Sequence, residues 1–329
     1  MTQVAPVAIT IGDAAGIGPE SSLKVAASTD RPVMLVGCKR LLERVADTVG
    51  IDVALRAVGD PGECSGSAGV VDVYDMPMNA AAVRPGELSK ECGQAVVDTI
   101  ETATRFALDG SVSAVCSAPA NKEAFNAAGH HYEGQTEIFA HFTNTTTFHT
   151  VLIGGPFKVS LVSAHCSMRE AIARVNTERV ERILQELDTA MRHHFGHAAP
   201  KIGVAGLNPH AGENGVLGTE EIDEVLPAIR NCRAANINVD APMAADSLFA
   251  AAEAGRYDAV LAMYHDQGTI PLKRYGYVTY AAGLPIVRTT AGHGTAFDIA
   301  WEGKADPSLL QRAVTLADDL GQSHRNVQP

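Results

Sequence analysis

The sequence predicts an α/β protein with parallel sheets, and three observations point to this class. Short runs rich in β-branched residues alternate with helical patterns along most of the chain. Most of these runs are continuously apolar, which suits strands that are covered on both faces. The length of 329 residues favours about two domains of ordinary size. Strands that alternate with helices predict βαβ units, and therefore parallel sheets.

Seven apolar runs are the predicted strands. In chain order they are Val7–Ile11, Val33–Val36, Ala114–Cys116, Val151–Ile153, Val159–Val162, Ile202–Ala205 and Ala259–Met263. Two helices are especially clear between these runs. One extends from about Glu91 to Leu108, and the other follows Asn176 with apolar residues at helical spacing as far as Met191. Asn176 or Thr177 is expected to cap the start of the second helix.

Composition and charge exclude several classes of protein. Apolar residues make up 46% of the chain and charged residues 19%, which provides large cores and excludes predominant disorder. The net charge of −12 argues against a broad basic face for nucleic acid or an anionic membrane. No apolar run approaches the roughly 20 residues of a membrane span, and the first residues lack the basic segment of a secretory signal. The six cysteines are scattered without a C-x-x-C pair. We therefore expect a cytoplasmic protein that binds neither nucleic acid nor membrane.

Three histidines share one position relative to the predicted strands. His165 follows VSLVSA, His210 follows IGVAGLNP and His265 follows AVLAMY, so each lies at or just beyond the carboxyl end of a strand. Ligand-binding loops gather at that edge of open α/β sheets. Three neutral imidazoles with open positions suit Zn²⁺, Co²⁺ or a similar ion. Each histidine alone could be an unrelated loop residue, but the shared placement favours a metal site.

Two carboxylates accompany these histidines. Asp266 adjoins His265, and Asp246 opens a predicted helix. Near a metal, either carboxylate could orient a ligand histidine or take a proton. Asp246 could equally be a helix N-cap.

Several cations follow predicted strands. Lys122 follows Ala114–Cys116, Lys273 follows the His265 loop, and Arg288 ends a strand-like run. Taken singly, each suits a solvated surface charge. Together with a metal, they predict a pocket for a small anionic substrate that chelates the metal.

Two glycine-containing segments could contact a cofactor. GDAAGIGPE, which contains Gly12 and Gly16, follows a strand and opens a helix, so its backbone could approach an anion. Its spacing departs from G-x-G-x-x-G and no Walker A lysine follows, so it is only weak evidence for a nucleotide. In HGTAFDIA, which begins at His293, the backbone of Gly294 and Thr295 offers donors for a phosphate or ribose. His293 could stack on a planar ring or pack into the core.

These segments together resemble the 4-hydroxythreonine-4-phosphate dehydrogenase family. The matching stretches run from residue 10 to about residue 305 and include IGDAAGIGPE, SAPANKEAF, GLNPHAGENGVLGTEE, AADSLF, AMYHDQGTIPLK, GLPIVRT and HGTAFDIA. HGTAFDIAWEGKADP is also similar to the cofactor loop of isocitrate and isopropylmalate dehydrogenases. The resemblance implies their non-Rossmann fold, a two-domain α/β/α sandwich. It further implies a first domain of residues 1–137 and 283–329 with the cofactor loop, and a second domain of residues 138–282 with metal ligands and dimer contacts.

The resemblance also implies an activity and a set of site residues. The expected enzyme is a homodimer that uses NAD or NADP and a divalent metal (Zn²⁺, Co²⁺, Mg²⁺ or Mn²⁺) to oxidise a secondary alcohol of a small anionic hydroxy acid. Decarboxylation of the 3-keto acid product is expected to follow. The expected residues are His165, His210 and His265 for the metal; Asp246, Asp266 and Lys122 for catalysis; Gln135, Thr136, Lys273, Thr279 and Arg288 for the substrate; and Gly12, Gly16, His293, Gly294, Thr295 and Asp298 for the cofactor.

Departures from the family pattern cluster at the substrate residues. Gln135 stands where the family usually has histidine, Gly292 stands where it usually has aspartate, and Thr279 stands at the usual asparagine. These changes point away from pyridoxine synthesis and 4-phosphohydroxythreonine. The segment around Trp301 resembles relatives that act on D-threonate or D-erythronate 4-phosphate. Gly292 and the run APMAAD resemble relatives that oxidise aromatic dihydrodiol carboxylates. A phosphate acyltransferase of the same fold and a binding protein without turnover are alternatives from other classes.

Overall fold

The computed structural model describes residues 4–66 and 69–327, with side chains described as far as Ser323. The chain forms two compact units: Met1–Thr146 together with Leu284–Pro329, and Thr147–Gly283. In chain order the strands are β1 (Val7–Thr10), β2 (Val33–Gly37), β3 (Ala54–Val58), β4 (Val70–Asp75), β5 (Ala114–Ser117), β6 (His149–Gly154), β7 (Phe157–Leu161), β8 (Ile202–Val204), β9 (Ala259–Ala262), β10 (Val278–Ala282) and β11 (Arg288–Ala291).

The helices alternate with these strands. They are α1 (Gly18–Ser28), α2 (Lys39–Val49), α3 (Lys90–Leu108), α4 (Lys122–Ala127), α5 (Gln135–Phe142), α6 (Met168–Arg174), α7 (Thr177–His193), α8 (Leu226–Ala234), α9 (Ala245–Glu253), α10 (His265–Lys273) and α11 (Ser308–Val327). Short 3₁₀ segments span Pro61–Glu63, Pro209–Gly215 and Phe297–Ile299, and a π-helical turn spans Glu221–Val225.

In the first unit the strands are parallel and lie in the order β3-β4-β2-β1-β5-β11. Their central members are almost entirely buried, since β1 and β5 have no exposed residue. Because β1, β5 and β11 are parallel neighbours, their carboxyl ends lie at one edge of the sheet. The loops that begin at residues 11, 118 and 292 therefore start close together.

In the second unit the order is β10-β6-β7-β9-β8. The strands β7, β9 and β8 are parallel, whereas β6 pairs antiparallel with both β10 and β7. The expectation of parallel sheets is therefore wrong for this part of the chain. The reason is that only Gly155 and Pro156 separate β6 from β7, and two residues can close a hairpin but cannot make a crossover.

The seven predicted strands and both clear helices are confirmed. Asn176 caps α7, because its side-chain oxygen accepts a hydrogen bond from the backbone N–H of Arg179 at 3.0 Å. Ser89 caps α3 through the backbone N–H groups of Glu91 and Cys92. Across residues 4–66 and 69–327, none of the helices is long and apolar enough for a bilayer crossing.

Candidate functional site

Arg288 is a buried cation at the edge formed by β5 and β11. Only 3% of the residue is exposed. Its Nε and Nη2 donate to the hydroxyl of Ser117 at 3.1 and 2.7 Å, and its Nη1 donates to the hydroxyl of Thr136 at 3.1 Å. Burial lowers the pKa of the guanidinium to about 10, although Glu137 opposes the shift through space. No ion pair within the described part of the chain includes Arg288, so its hydrogen-bond partners here are neutral hydroxyls, and its guanidinium lies 5.1 Å from the ring centroid of Phe139.

Gln135 lies on the same edge, at the start of α5. Its side-chain Nε2 donates to the carbonyl oxygen of Ala118 at 3.1 Å. Its Oε1 is buried and accepts no hydrogen bond. The first unit thus brings three of the predicted substrate residues together, with Arg288 offering charge and Gln135 offering an unused acceptor. A hydroxyl group is the kind of ligand donor that would complete the Gln135 amide.

The other two predicted substrate residues belong to the second unit. Lys273 is the last residue of α10 and is exposed, whereas Thr279 is half-buried in β10 opposite Leu152. The predicted catalytic residue Lys122 begins α4 in the first unit. There it is exposed, and the preceding Asn121 caps the helix.

The three candidate metal ligands follow β7, β8 and β9 in the second unit, as expected. The imidazole rings of His165 and His265 lie 5.5 Å apart between centroids. The Nδ1 of His265 lies 2.7 Å from a carboxylate oxygen of Asp266. A carboxylate accepts, so Nδ1 carries the proton and Nε2 keeps the lone pair that a metal needs. The structure therefore brings two of the three candidate ligands side by side.

His210 and His165 both have a left-handed backbone, with φ of +49° at His165, but His210 lies in a longer strained segment. His210 begins a run of left-handed residues, with φ of +53° at this residue and +46° at Glu213, conformations that are costly for residues other than glycine. Within residues 4–66 and 69–327, no three His, Cys, Asp or Glu side chains lie close enough together to hold a metal ion. The structure thus pairs His165 with His265 and does not complete the predicted trio.

Asp246 lies in the first turn of α9 and is exposed. Ala244 occupies the N-cap position, and Asp246 accepts a hydrogen bond from the backbone N–H of Ser247 at 2.7 Å. The alternative interpretation of Asp246 as the N-cap is therefore wrong. Its carboxylate remains open to solvent, as is that of Asp266.

The glycines of the N-terminal segment make room for other parts of the chain. A Cβ atom at Gly12 would lie 2.2 Å from the carbonyl oxygen of Pro119, and one at Gly16 would lie 2.9 Å from that of Thr295. The backbone N–H of Ile17 donates to the same carbonyl of Thr295 at 3.0 Å. The space next to both glycines is thus occupied by neighbouring loops. This packing joins two of the predicted cofactor residues, Gly16 and Thr295.

An open groove lies next to this contact. It has a volume of about 470 Å³ and is lined by Ile17, His293, Gly294, Ala296, Asp306 and Leu309. The Nδ1 of His293 lies 3.1 Å from the carbonyl oxygen of Gly294, so it carries the proton. The Nε2 of His293 is buried and has no partner, which leaves an acceptor for a base amine or a ribose hydroxyl. Asp298 is exposed in the adjacent turn Phe297–Ile299.

Asp13 is a buried acid that the sequence analysis did not single out. One carboxylate oxygen accepts from the backbone N–H of Ala15 at 2.9 Å, and the other is buried without a partner. Burial raises the pKa of Asp13 to about 6, although the backbone N–H groups of Ala15 and Asn121 partly offset the shift. The available signal was an acid directly after a buried strand, next to a glycine at the ligand-binding edge.

We predict that Asp13 makes the stability of the protein depend on pH. The folded state holds the proton of Asp13 more tightly than the unfolded state, so the free energy of unfolding should fall as pH rises from about 4 to about 6. A shift of about two units corresponds to roughly 3 kcal/mol. Urea denaturation between pH 4.5 and 8 should show that Asp13→Asn loses this dependence. The exposed Asp47→Asn is the control, and an unchanged profile in Asp13→Asn would contradict the assignment.

Comparisons with known proteins show what the chain as a whole is similar to. A model of the family described as pyridoxal phosphate biosynthetic protein PdxA matches residues 28–317. D-threonate 4-phosphate dehydrogenase of Pectobacterium atrosepticum is 41% identical, over 95% of this chain and 98% of that protein. The crystal structure of 4-hydroxythreonine-4-phosphate dehydrogenase from Klebsiella pneumoniae superposes with a TM-score of 0.93 at 42% identity, over 97% of this chain and 99% of the other.

A third similar protein is named for a different substrate. The structure of terephthalate 1,2-cis-dihydrodiol dehydrogenase from Burkholderia xenovorans LB400 superposes with a TM-score of 0.69 at 33% identity, over 96% of this chain and 98% of the other. The likeness to all three proteins extends over nearly the whole chain. The predicted α/β fold class and the resemblance to the 4-hydroxythreonine-4-phosphate dehydrogenases are both confirmed.

Proposed function

We propose, from the premise that the chain belongs to the family of the pyridoxal phosphate biosynthetic protein PdxA, that it oxidises a phosphorylated four-carbon sugar acid. The chain is a dehydrogenase that acts on a secondary alcohol, with NAD or NADP as the hydride acceptor. Its substrate in this proposal is D-threonate 4-phosphate or D-erythronate 4-phosphate. Similarity to the D-threonate 4-phosphate dehydrogenase of Pectobacterium atrosepticum supports this choice.

The buried guanidinium of Arg288 is the observation that carries the proposal. A buried cation with only neutral hydrogen-bond partners is costly, and a phosphate group offsets that cost by forming charge-assisted hydrogen bonds. The planar guanidinium also matches the geometry of phosphate oxygens. Ser117 and Thr136 already fix its orientation, so little side-chain freedom is lost when the anion binds.

Gly292 favours a substrate without an amine. The free Oε1 of Gln135 can accept from either a hydroxyl or an ammonium group and does not distinguish between them. Gly292 provides no carboxylate that could face a substrate ammonium group. A sugar acid has a hydroxyl where hydroxythreonine has its amine, so it does not need that negative charge.

The residues of the second unit supply the groups for the oxidation. In this proposal His165 and His265, which the structure pairs, would hold a divalent metal with His210 as the third ligand, although the described residues contain no completed three-ligand group. The metal when bound would lower the pKa of the substrate hydroxyl. Asp266 keeps the proton on Nδ1 of His265 and so directs Nε2 outward. Asp246 and Asp266 are the candidate bases that take the hydroxyl proton, while the hydride leaves for the nicotinamide. The 3-keto acid product would then readily lose CO₂.

Removal of a ligand histidine should lower metal content and activity together. We expect His210→Ala and His265→Ala to abolish turnover and reduce bound metal, with circular dichroism unchanged. Metal analysis of the dialysed protein checks this. The exposed His193→Ala, at the end of α7, is the matched control. Full metal and full turnover in His210→Ala would rule out this residue as a ligand.

The substrate proposal is tested by comparing kcat/KM on four compounds. These are D-threonate 4-phosphate, D-erythronate 4-phosphate, 4-phosphohydroxythreonine and an aromatic dihydrodiol dicarboxylate. We expect one of the sugar-acid phosphates to have the highest value, and the highest value on 4-phosphohydroxythreonine would refute the proposal. Gln135→His should shift the ratio of kcat/KM values about ten- to a hundredfold towards 4-phosphohydroxythreonine, which is the effect of one charge-assisted hydrogen bond. Arg288→Met should instead lower kcat/KM for all three phosphorylated substrates by a similar factor.

We further propose that the enzyme is a homodimer whose contact involves the second unit. Six large apolar side chains of the second unit are exposed, and Val216, six residues after His210 in the sequence, is 77% exposed. The others are Met168, Ile172, Leu217, Ile222 and Ile270. Such a concentration on one unit is typical of a surface that another chain covers. Light scattering at micromolar concentration should give twice the mass of the chain, and a fully active monomer would contradict the dimer.

A further inference from the structure

An ion pair on α1, with a buried carboxylate and a partly exposed ammonium group, binds the backbone of a distant loop. The carboxylate of Glu20 is completely enclosed and accepts hydrogen bonds from the backbone N–H groups of Gly303 at 3.2 Å and Ala305 at 2.9 Å. The ammonium group of Lys24 lies 2.6 Å from Glu20 and donates to the carbonyl oxygens of the same two residues, at 2.9 and 2.8 Å. Glu20 and Lys24 together therefore hold both the N–H and the C=O of Gly303 and Ala305. We call these four residues the α1 clamp.

The clamp secures a loop whose backbone is strained. Ala296 and Trp301 have φ of +41° and +61°, in the left-handed region that residues other than glycine rarely occupy. Such conformations persist where surrounding contacts enforce them. The indole N–H of Trp301 donates to the carbonyl oxygen of Ala14 at 3.1 Å, and the guanidinium of Arg44 lies 4.8 Å from the ring centroid. The clamp adds a carboxylate–ammonium pair that bonds to the loop backbone, and the clamped residues Gly303 and Ala305 come immediately before Asp306.

The clamped loop is the same one that shapes the open groove. His293, Gly294 and Ala296 line the groove near the start of the loop, and Asp306 lines it directly after the clamped residues. We propose that Glu20 and Lys24 are positioning residues for the nicotinamide cofactor, an inference that rests on the proposed function. By fixing residues 303–305 before the cofactor arrives, the clamp removes an ordering cost that binding would otherwise have to meet.

The chain offers a matched control for this pair. Lys39 and Glu43 on α2 form an ion pair with the same four-residue spacing, in the same unit, with both side chains partly exposed. Removal of that pair takes away a carboxylate–ammonium contact of the same spacing without touching the 292–306 loop. The variants are Glu20→Gln, Lys24→Met and Lys24→Arg, with Glu43→Gln as the control.

Two measurements on the full-length protein test the proposal without relying on turnover. Amide hydrogen exchange should become faster at Gly303 and Ala305 in Glu20→Gln and Lys24→Met, but not in Glu43→Gln. Calorimetric titration with NADH and with NADPH should show dissociation constants that rise about tenfold or more in the same two variants. Lys24→Arg keeps a positive charge and hydrogen-bond donors, so this variant should retain most of the wild-type affinity for the dinucleotide. If Glu20→Gln does not fold, Lys24→Met carries both measurements.

The outcomes separate this inference from the proposed function. Unchanged dinucleotide affinity in Glu20→Gln or Lys24→Met, with wild-type protein binding normally, would overturn the positioning role alone. A loss of affinity equal to that in Glu43→Gln would also overturn it, because the effect would then be one of general stability. A wild-type protein that binds neither NADH nor NADPH would overturn the proposed function, and the inference with it.

Discussion

The guanidinium of Arg288 is held by the hydroxyl of Ser117, and this contact depends on how two strands are aligned. Because β5 and β11 are parallel with Arg288 opposite Val115, the Arg288 side chain reaches Ser117 two residues further along β5. The hydroxyl of Thr290 donates to the carbonyl oxygen of Ser117 at 2.6 Å and stabilises the same register. A slip of one residue would turn Arg288 to the opposite face of the sheet. The position of the anion-binding group is therefore set by the strand pairing.

In the second unit, strand pairing also determines where the loops of the three histidines begin, but it constrains these residues less closely than it constrains Arg288. Parallel pairing of β7, β9 and β8 brings three strand ends to one edge, but each histidine lies several residues beyond its strand. His265 begins α10 directly and is oriented by Asp266. His210 lies in a 3₁₀ segment with left-handed residues, and its position depends on that loop more than on the sheet. The sheet alone therefore brings two of the candidate ligands together, and the loop that contains His210 does not add the third.

Sequence patterns predicted those parts of the fold in which one physical effect dominates. The seven predicted strands are mostly buried, so continuous apolar character marks them. The edge strand β3 was not predicted, because four of its five residues are exposed or half-buried and its pattern is mixed. The site was predictable where a residue follows a strand end, as for His265. Arg288 was expected to end a strand-like run, but it begins β11, and its side chain reaches the strand end only through Ser117. The role of Glu20 was not, because its partner Ala305 lies 285 residues away and no local pattern encodes that contact.

The N-terminal segment illustrates why motif spacing alone can mislead about the use of each group. Its glycines suggested an approach to a phosphate, but their free space is taken up by Pro119 and Thr295. Asp13 and Glu20, the two acids of this segment, are both buried, but only Glu20 has a hydrogen-bond partner for each carboxylate oxygen. Both oxygens of Glu20 have partners within the chain, so this carboxylate needs no ligand and can act only by holding the loop.

At the edge where β1, β5 and β11 meet, two buried ionisable groups are not fully bonded within the described part of the chain. One oxygen of Asp13 accepts no hydrogen bond, and the charge of Arg288 has no carboxylate as a hydrogen-bond partner. A buried polar group that is fully satisfied within the chain stabilises structure, whereas one that is left unsatisfied destabilises the protein until something else binds or a proton is taken up. By that distinction, Glu20 serves to stabilise the loop. The cost of burying Arg288 can be offset by a bound anionic substrate, and the cost of burying Asp13 can be offset by a proton at low pH.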